Sequence, residues 1–60
     1  MIEHLAPGMT CRAPNSLVCT VEEVQFKGPQ PSKVVVRMQA GTKFTFSFDR
    51  FVQEFTLLQQ

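Results

Sequence analysis

Hydrophobic and polar residues alternate along much of the chain, and this period of two predicts short β-strands. Residues 9–13 alternate in this way and are followed by turn-forming residues at positions 14–16. Residues 17–26 predict a longer second strand, in which the hydrophobic parity changes at Glu22-Glu23. Such a change predicts a β-bulge, because one extra residue reverses the side to which the later side chains point.

Two more strands are predicted in the middle of the chain. Segment 27–32 contains two prolines and one glycine, and it predicts a loop. Residues 33–39 follow as a valine-rich strand, and residues 42–48 alternate strictly. A three-residue turn over 39–41 with glycine last joins these two strands, because that turn needs a positive φ only at the glycine.

This turn fixes which side chains face one another across the two strands. It pairs Val36 with Phe44 and Val34 with Phe46, so the valine and phenylalanine rows share one face. We therefore interpret Phe44, Phe46 and Phe48 as core residues. The alternative is a stacking platform for single-stranded nucleic acid, with neighbouring basic side chains on the phosphates.

The segment after this strand has two interpretations. In the first, Asp49 caps a helical turn and residues 55–58 form a last short strand. In the second, residues 49–58 form one helix with a hydrophobic stripe. We favour the turn followed by a strand, because the Phe-Thr-Leu-Leu sequence is typical of strands.

These elements predict an all-β fold. Five short strands with one short helical turn before the last strand are the layout of a five-stranded SH3-like small barrel. The chain has 60 residues, which predicts a single SH3-like domain over residues 1–60, with residues 1–8 as a lead-in arm. A domain of this size has little stability to spare.

The two cysteines are predicted to face each other. A three-residue loop over 14–16 places Cys11 opposite Cys19 on neighbouring strands. They are either two small buried hydrophobic residues or a pair able to form a disulfide. A zinc site is disfavoured, since His4 brings the ligands to only three where a closed structural site needs four.

Charge is uneven along the chain, although the net charge is only +1. Between positions 24 and 48 every charged residue is basic. These residues are the candidate binding face: Lys27, Lys33, Arg37 and Lys43. Four positive charges predict weak attraction for nucleic acid. Nothing pairs the single histidine with a nucleophile, and no glycine-rich phosphate loop is present, so no catalytic residue, metal or cofactor is predicted.

Segments 7–9, 19–24 and 34–36 before Gly41, and then Phe48 before segment 55–58, form a pattern of strands and turns. This pattern resembles that of bacterial SH3-like mini-barrel proteins, such as the YodC-like group of uncharacterised small proteins. The chain differs from the group at residues 14–16, where the group has a Gly-Gly turn, and at Val36, where it has a tryptophan. The resemblance implies a small barrel and no catalytic residue.

We expect a small non-enzymatic binding or adaptor module that acts through protein–protein interaction. A protein partner would dock on segment 27–33 or add a strand to an open sheet edge. The alternative is weak nucleic-acid binding through the basic central hairpin. A third hypothesis is an oligomeric enzyme like the plasmid-borne SH3-like dihydrofolate reductases, whose pore residues have no recognisable counterpart here.

The expected setting is the cytoplasm. The first residues lack the basic start and the hydrophobic run of a signal peptide, and no segment is long and apolar enough for a membrane span. A homodimer and a monomer are both compatible with the sequence, because a second copy of the chain can add strands to an unpaired sheet edge.

Overall fold

The structure is a computed structural model that describes residues 5–58. The described elements are β1 Thr10–Arg12, β2 Val18–Lys27, β3 Gln30–Met38, β4 Lys43–Ser47, α1 Phe48–Glu54 and β5 Thr56–Leu57. The strands form one antiparallel sheet in the order β4-β3-β2-β1-β5. The prediction of an all-β fold with five strands and a short helix before the last is confirmed.

The first hairpin has the predicted three-residue loop. The backbone N–H of Ala13 donates to the carbonyl of Leu17 at 2.8 Å, which closes the loop over residues 14–16. Ser16 has a φ of +73°, which lets the chain turn within three residues. The register pairs Cys11 with Cys19, as predicted.

The predicted lead-in arm lies partly within the described residues. Leu5 packs against the core, and the Gly8 backbone N–H donates to the carbonyl of Val21 at 2.8 Å. Residues 5–8 are therefore held against the sheet. The rest of the arm, including His4, lies outside the described residues.

The predicted bulge in β2 is confirmed, and Glu22 is its extra residue. Val21 pairs with Val36 and Glu23 pairs with Val35, so Glu22 has no opposite residue on β3. The bulge returns Val24 to the side of the core, where it packs against the buried residues.

The prediction of a loop over residues 27–32 is wrong. Lys27 pairs directly with Gln30, so β2 and β3 form one long hairpin that turns at Gly28-Pro29. Gly28 has a φ of +64°, and proline fixes a negative φ at the next position, which is the order that a two-residue hairpin loop of type II′ requires. A second register shift, between Gln25 and Phe26, accommodates the other proline of the segment.

The β3–β4 turn and its register match the prediction. The Met38 N–H donates to the carbonyl of Thr42 at 2.8 Å, and Gly41 has a φ of +97°. Val36 therefore pairs with Phe44 and Val34 with Phe46.

Helix α1 starts two residues earlier than expected. Ser47, and not Asp49, is the N-cap, and its side-chain oxygen accepts the backbone N–H of Arg50 at 3.2 Å. Asp49 lies in the first turn, where a negative charge also favours the helix. The helix ends at Glu54, and its C-cap Phe55 has an extended backbone, so the alternative of one helix over residues 49–58 is wrong.

The core is built around Phe51 rather than around the row of phenylalanines on β4. Phe51 is fully buried, and the other buried residues are Cys11, Cys19, Val21, Val34, Val36 and Phe55. The core prediction is wrong for Phe44, which is 48% exposed. Phe46 and Phe48 are partly buried and pack against the core. Phe44 is the first of these phenylalanines after the β3–β4 turn, so it lies near the end of the sheet, where it is more exposed than Phe46.

Candidate functional site

Three of the four predicted basic residues share the outer face of the central hairpin. Lys33 and Arg37 alternate on β3 with the buried valines, so they point away from the core. Lys43 pairs with Arg37 across the β3–β4 ladder and points to the same side. Lys27 stands apart, at the tip of the long hairpin, where it lines a shallow cleft with Ser47 and Asp49.

The sheet also brings two acidic residues of β2 to this outer face. Their proximity to the basic residues is not evident from their positions in the sequence. Glu23 pairs with Val35, and Glu22 Oε1 lies 3.3 Å from Arg37 Nε. The contact between Glu22 and Arg37 is an ion pair without a hydrogen bond, since Glu22 Oε1 is buried and has no hydrogen-bond partner. The positive charge of Arg37 is thus partly balanced, and the uncompensated charge of this face lies toward β4.

An apolar groove lies on the other side of β4, at the open end of the sheet. Its volume is about 360 Å³. Its apolar lining comes from the first loop, the end of β3, β4 and the end of the helix: Ala13, Pro14, Met38, Phe44, Phe46 and Phe55. Asn15 and the ion pair between Arg50 and Glu54, 3.1 Å apart, form its polar margin.

Four phenylalanine rings connect the floor of this groove to the core. Phe51 stacks on Phe55 with ring centroids 4.6 Å apart, and Phe55 meets Phe46 at 5.1 Å. Phe46 lies 6.5 Å from Phe44, which completes the series at the surface. The exposed ring of Phe44 is therefore linked through Phe46 and Phe55 to the buried ring of Phe51.

The sequence did not reveal this groove. Alternation placed Phe44 on the inner side of β4 correctly, but it did not show that this side is uncovered at its end. Ala13, Pro14 and Met38 carry no functional signal in the sequence, since small and apolar residues beside turns are common. The one available signal was position, because Phe44 is the first phenylalanine after the turn.

Cys11 and Cys19 form a buried pair of free thiols. Their sulfur atoms lie 3.1 Å apart, and both side chains are inaccessible to solvent. Burial, followed by the hydrogen bond and the charge of Cys19, raises the pKa of the Cys11 thiol from its ordinary value of 9.0 to about 12. A neutral buried thiol is a poor nucleophile, so this pair acts as packing in the folded protein.

Within residues 5–58 no three side chains of His, Cys, Asp or Glu lie close enough to hold a metal ion. No helix in this part of the chain is long and apolar enough to cross a membrane. The functional interpretation rests on the groove and on the outer face of β3 and β4.

Comparisons with models of protein families, with curated proteins and with solved structures find no match to this chain.

Proposed function

We propose that this protein is a small binding module that recognises another protein, built on an SH3-like small barrel. The order of the strands and the position of the helix support the barrel. The observation that supports the binding function is the half-exposed Phe44 in an apolar groove next to an edge strand. A cytoplasmic location stays a prediction from the sequence.

The groove has the composition of a protein-binding surface. Apolar residues form its floor and polar residues its margin, which is the usual arrangement of such interfaces. Aromatic residues, including phenylalanine, are also enriched in protein interfaces relative to the rest of the surface. The nucleic-acid alternative has less support, because Glu22 and Glu23 lie on the same face as the basic residues.

The test compares two exposed phenylalanines. The tagged full-length protein and its Phe44→Ser and Phe26→Ser variants are used to capture partners from the native host. Captured proteins are identified, purified and titrated directly. Phe26 is 61% exposed but lies near the tip of the long hairpin, so it is a matched control.

We expect the partner to bind the wild type and Phe26→Ser with similar affinity and to bind Phe44→Ser at least tenfold more weakly. Circular dichroism must show that both variants are folded. Equal binding by Phe44→Ser, or loss of binding only in Phe26→Ser, would contradict the proposed site.

A further inference from the structure

The outer edge of β4 has unpaired backbone groups. The hydrogen bond from Met38 to Thr42 sets the alternation of the ladder, so the pairs of Phe44 and Phe46 are the hydrogen-bonded ones. The N–H and C=O groups of Lys43 and Thr45 therefore point away from β3. In the part of the chain that the structure describes, β3 is the only strand that pairs with β4.

The two sides of this edge differ in chemistry. Phe44 and Phe46 point into the apolar groove on one side. Lys43 and Thr45 are exposed on the other side. A strand added to β4 would place alternate side chains in these two environments, because successive side chains point to opposite faces.

The charge at the edge is positive. Among residues 5–58 Lys43 takes part in no ion pair, and its neighbour on β3 is the basic Arg37. The two glutamates of this face lie on β2, two strands away from the edge. An acidic side chain opposite Lys43 would thus gain an unopposed partner and relieve the repulsion between Lys43 and Arg37.

We propose that β4 binds an extended peptide in which hydrophobic and acidic residues alternate. The peptide adds as a sixth strand, its hydrophobic side chains enter the groove beside Phe44, and its acidic side chains lie beside Lys43. A second copy of this chain is a poorer occupant, since residues 43–47 contain no acidic residue to place opposite Lys43. The inference rests on the proposed protein-binding function and names its ligand.

The first test uses peptides and leaves the protein unchanged. A seven-residue peptide of alternating Glu and Val is titrated into the ¹⁵N-labelled protein, and binding is also measured by fluorescence anisotropy. Two further peptides carry N-methyl groups on one or the other set of alternate amides. Only one set faces β4 in an added strand, so we expect one methylated peptide to bind at least tenfold more weakly and the other to bind within threefold of the parent.

The second test reverses charge. Lys43→Glu is expected to weaken binding of the Glu-Val peptide at least fivefold and to strengthen binding of a Lys-Val peptide. Lys27→Glu makes the same change of charge on an exposed lysine at the hairpin tip and is expected to change affinity less than twofold.

Several results would overturn the inference. These are equal binding of the two methylated peptides, equal effects of Lys43→Glu and Lys27→Glu, or amide shifts centred away from residues 43–46. A free protein that sediments as a dimer with Thr45 in its interface would identify a second copy as the occupant. If partner capture depends on Phe44 but the peptides fail these tests, the binding function stands and the peptide chemistry is wrong.

Discussion

Replacing Phe51 with alanine is the most direct test of where the core lies. The ring is fully buried and stacks on Phe55 at a centroid distance of 4.6 Å. Burying a phenylalanine side chain contributes about 1.5–3 kcal/mol, and a well-packed aromatic pair adds about 0.5–1.5 kcal/mol. With the cavity that remains, Phe51→Ala is expected to cost about 3–5 kcal/mol. A chain of 60 residues has a free energy of unfolding of about 3–9 kcal/mol, so the variant would lose much or all of it.

The matched comparison is Phe44→Ala, which removes the same atoms from a ring that is 48% exposed. We expect it to cost about 1 kcal/mol, because much of that ring is already in contact with water. Phe46→Ala, at a half-buried ring, should fall between the two.

Urea unfolding followed by far-UV circular dichroism measures these differences, since the chain has no Trp or Tyr to serve as a fluorescent probe. Small proteins lose about 1 kcal/mol per molar urea at the low end of the range, so Phe51→Ala should move the midpoint by about 3 M or leave no folded baseline. Phe51→Leu keeps a folded baseline if alanine does not. A larger loss for Phe44→Ala than for either Phe51 variant would refute this description of the core.

Two further predictions concern the thiols and nucleic acid. At pH 8 the Cys11 thiol of the native protein should react with iodoacetamide far more slowly than in urea, because burial raises its pKa and so lowers the fraction of reactive thiolate. Equally rapid labelling of the native and the unfolded protein would contradict the buried pair. The same shift keeps the folded thiol protonated while the unfolded thiol ionises, so stability should decline as the pH rises from 9 toward 12. Anisotropy with single- and double-stranded oligonucleotides should show no submicromolar binding at physiological salt, and salt-sensitive binding that is lost in the double variant Lys33→Glu/Arg37→Glu would contradict this.

Local geometry made the register of the sheet predictable. Gly41 can adopt a positive φ without strain, and this property alone selects the turn that pairs Val36 with Phe44. The parity change at Glu22-Glu23 likewise located the bulge, because alternation counts residues and an extra residue changes the count. Both inferences depend only on residues that are neighbours in the sequence, so they could be made without the structure.

Competing local signals explain the two corrections of secondary structure. Two prolines in residues 27–32 suggested a loop, yet Gly28-Pro29 supplies the φ angles of a two-residue turn and a register shift accommodates the other proline. Ser47 and Asp49 are both good N-cap residues. The N-cap is Ser47 because β4 ends there. The end of β4 is set by the pairing of Ser47 with Lys33 of β3, which lies far away in the sequence.

The candidate site was harder to predict because it depends on how the interior is filled. The helix and the residue after it bring Phe51 and Phe55 into the space that the β4 phenylalanines were expected to occupy. Phe46 then packs on Phe55, and Phe44 is left as the outermost ring of the series. The same packing that leaves Phe44 out of the core places it against Phe46 on an edge strand, so the binding surface that we propose at this edge follows from the way this small core is filled.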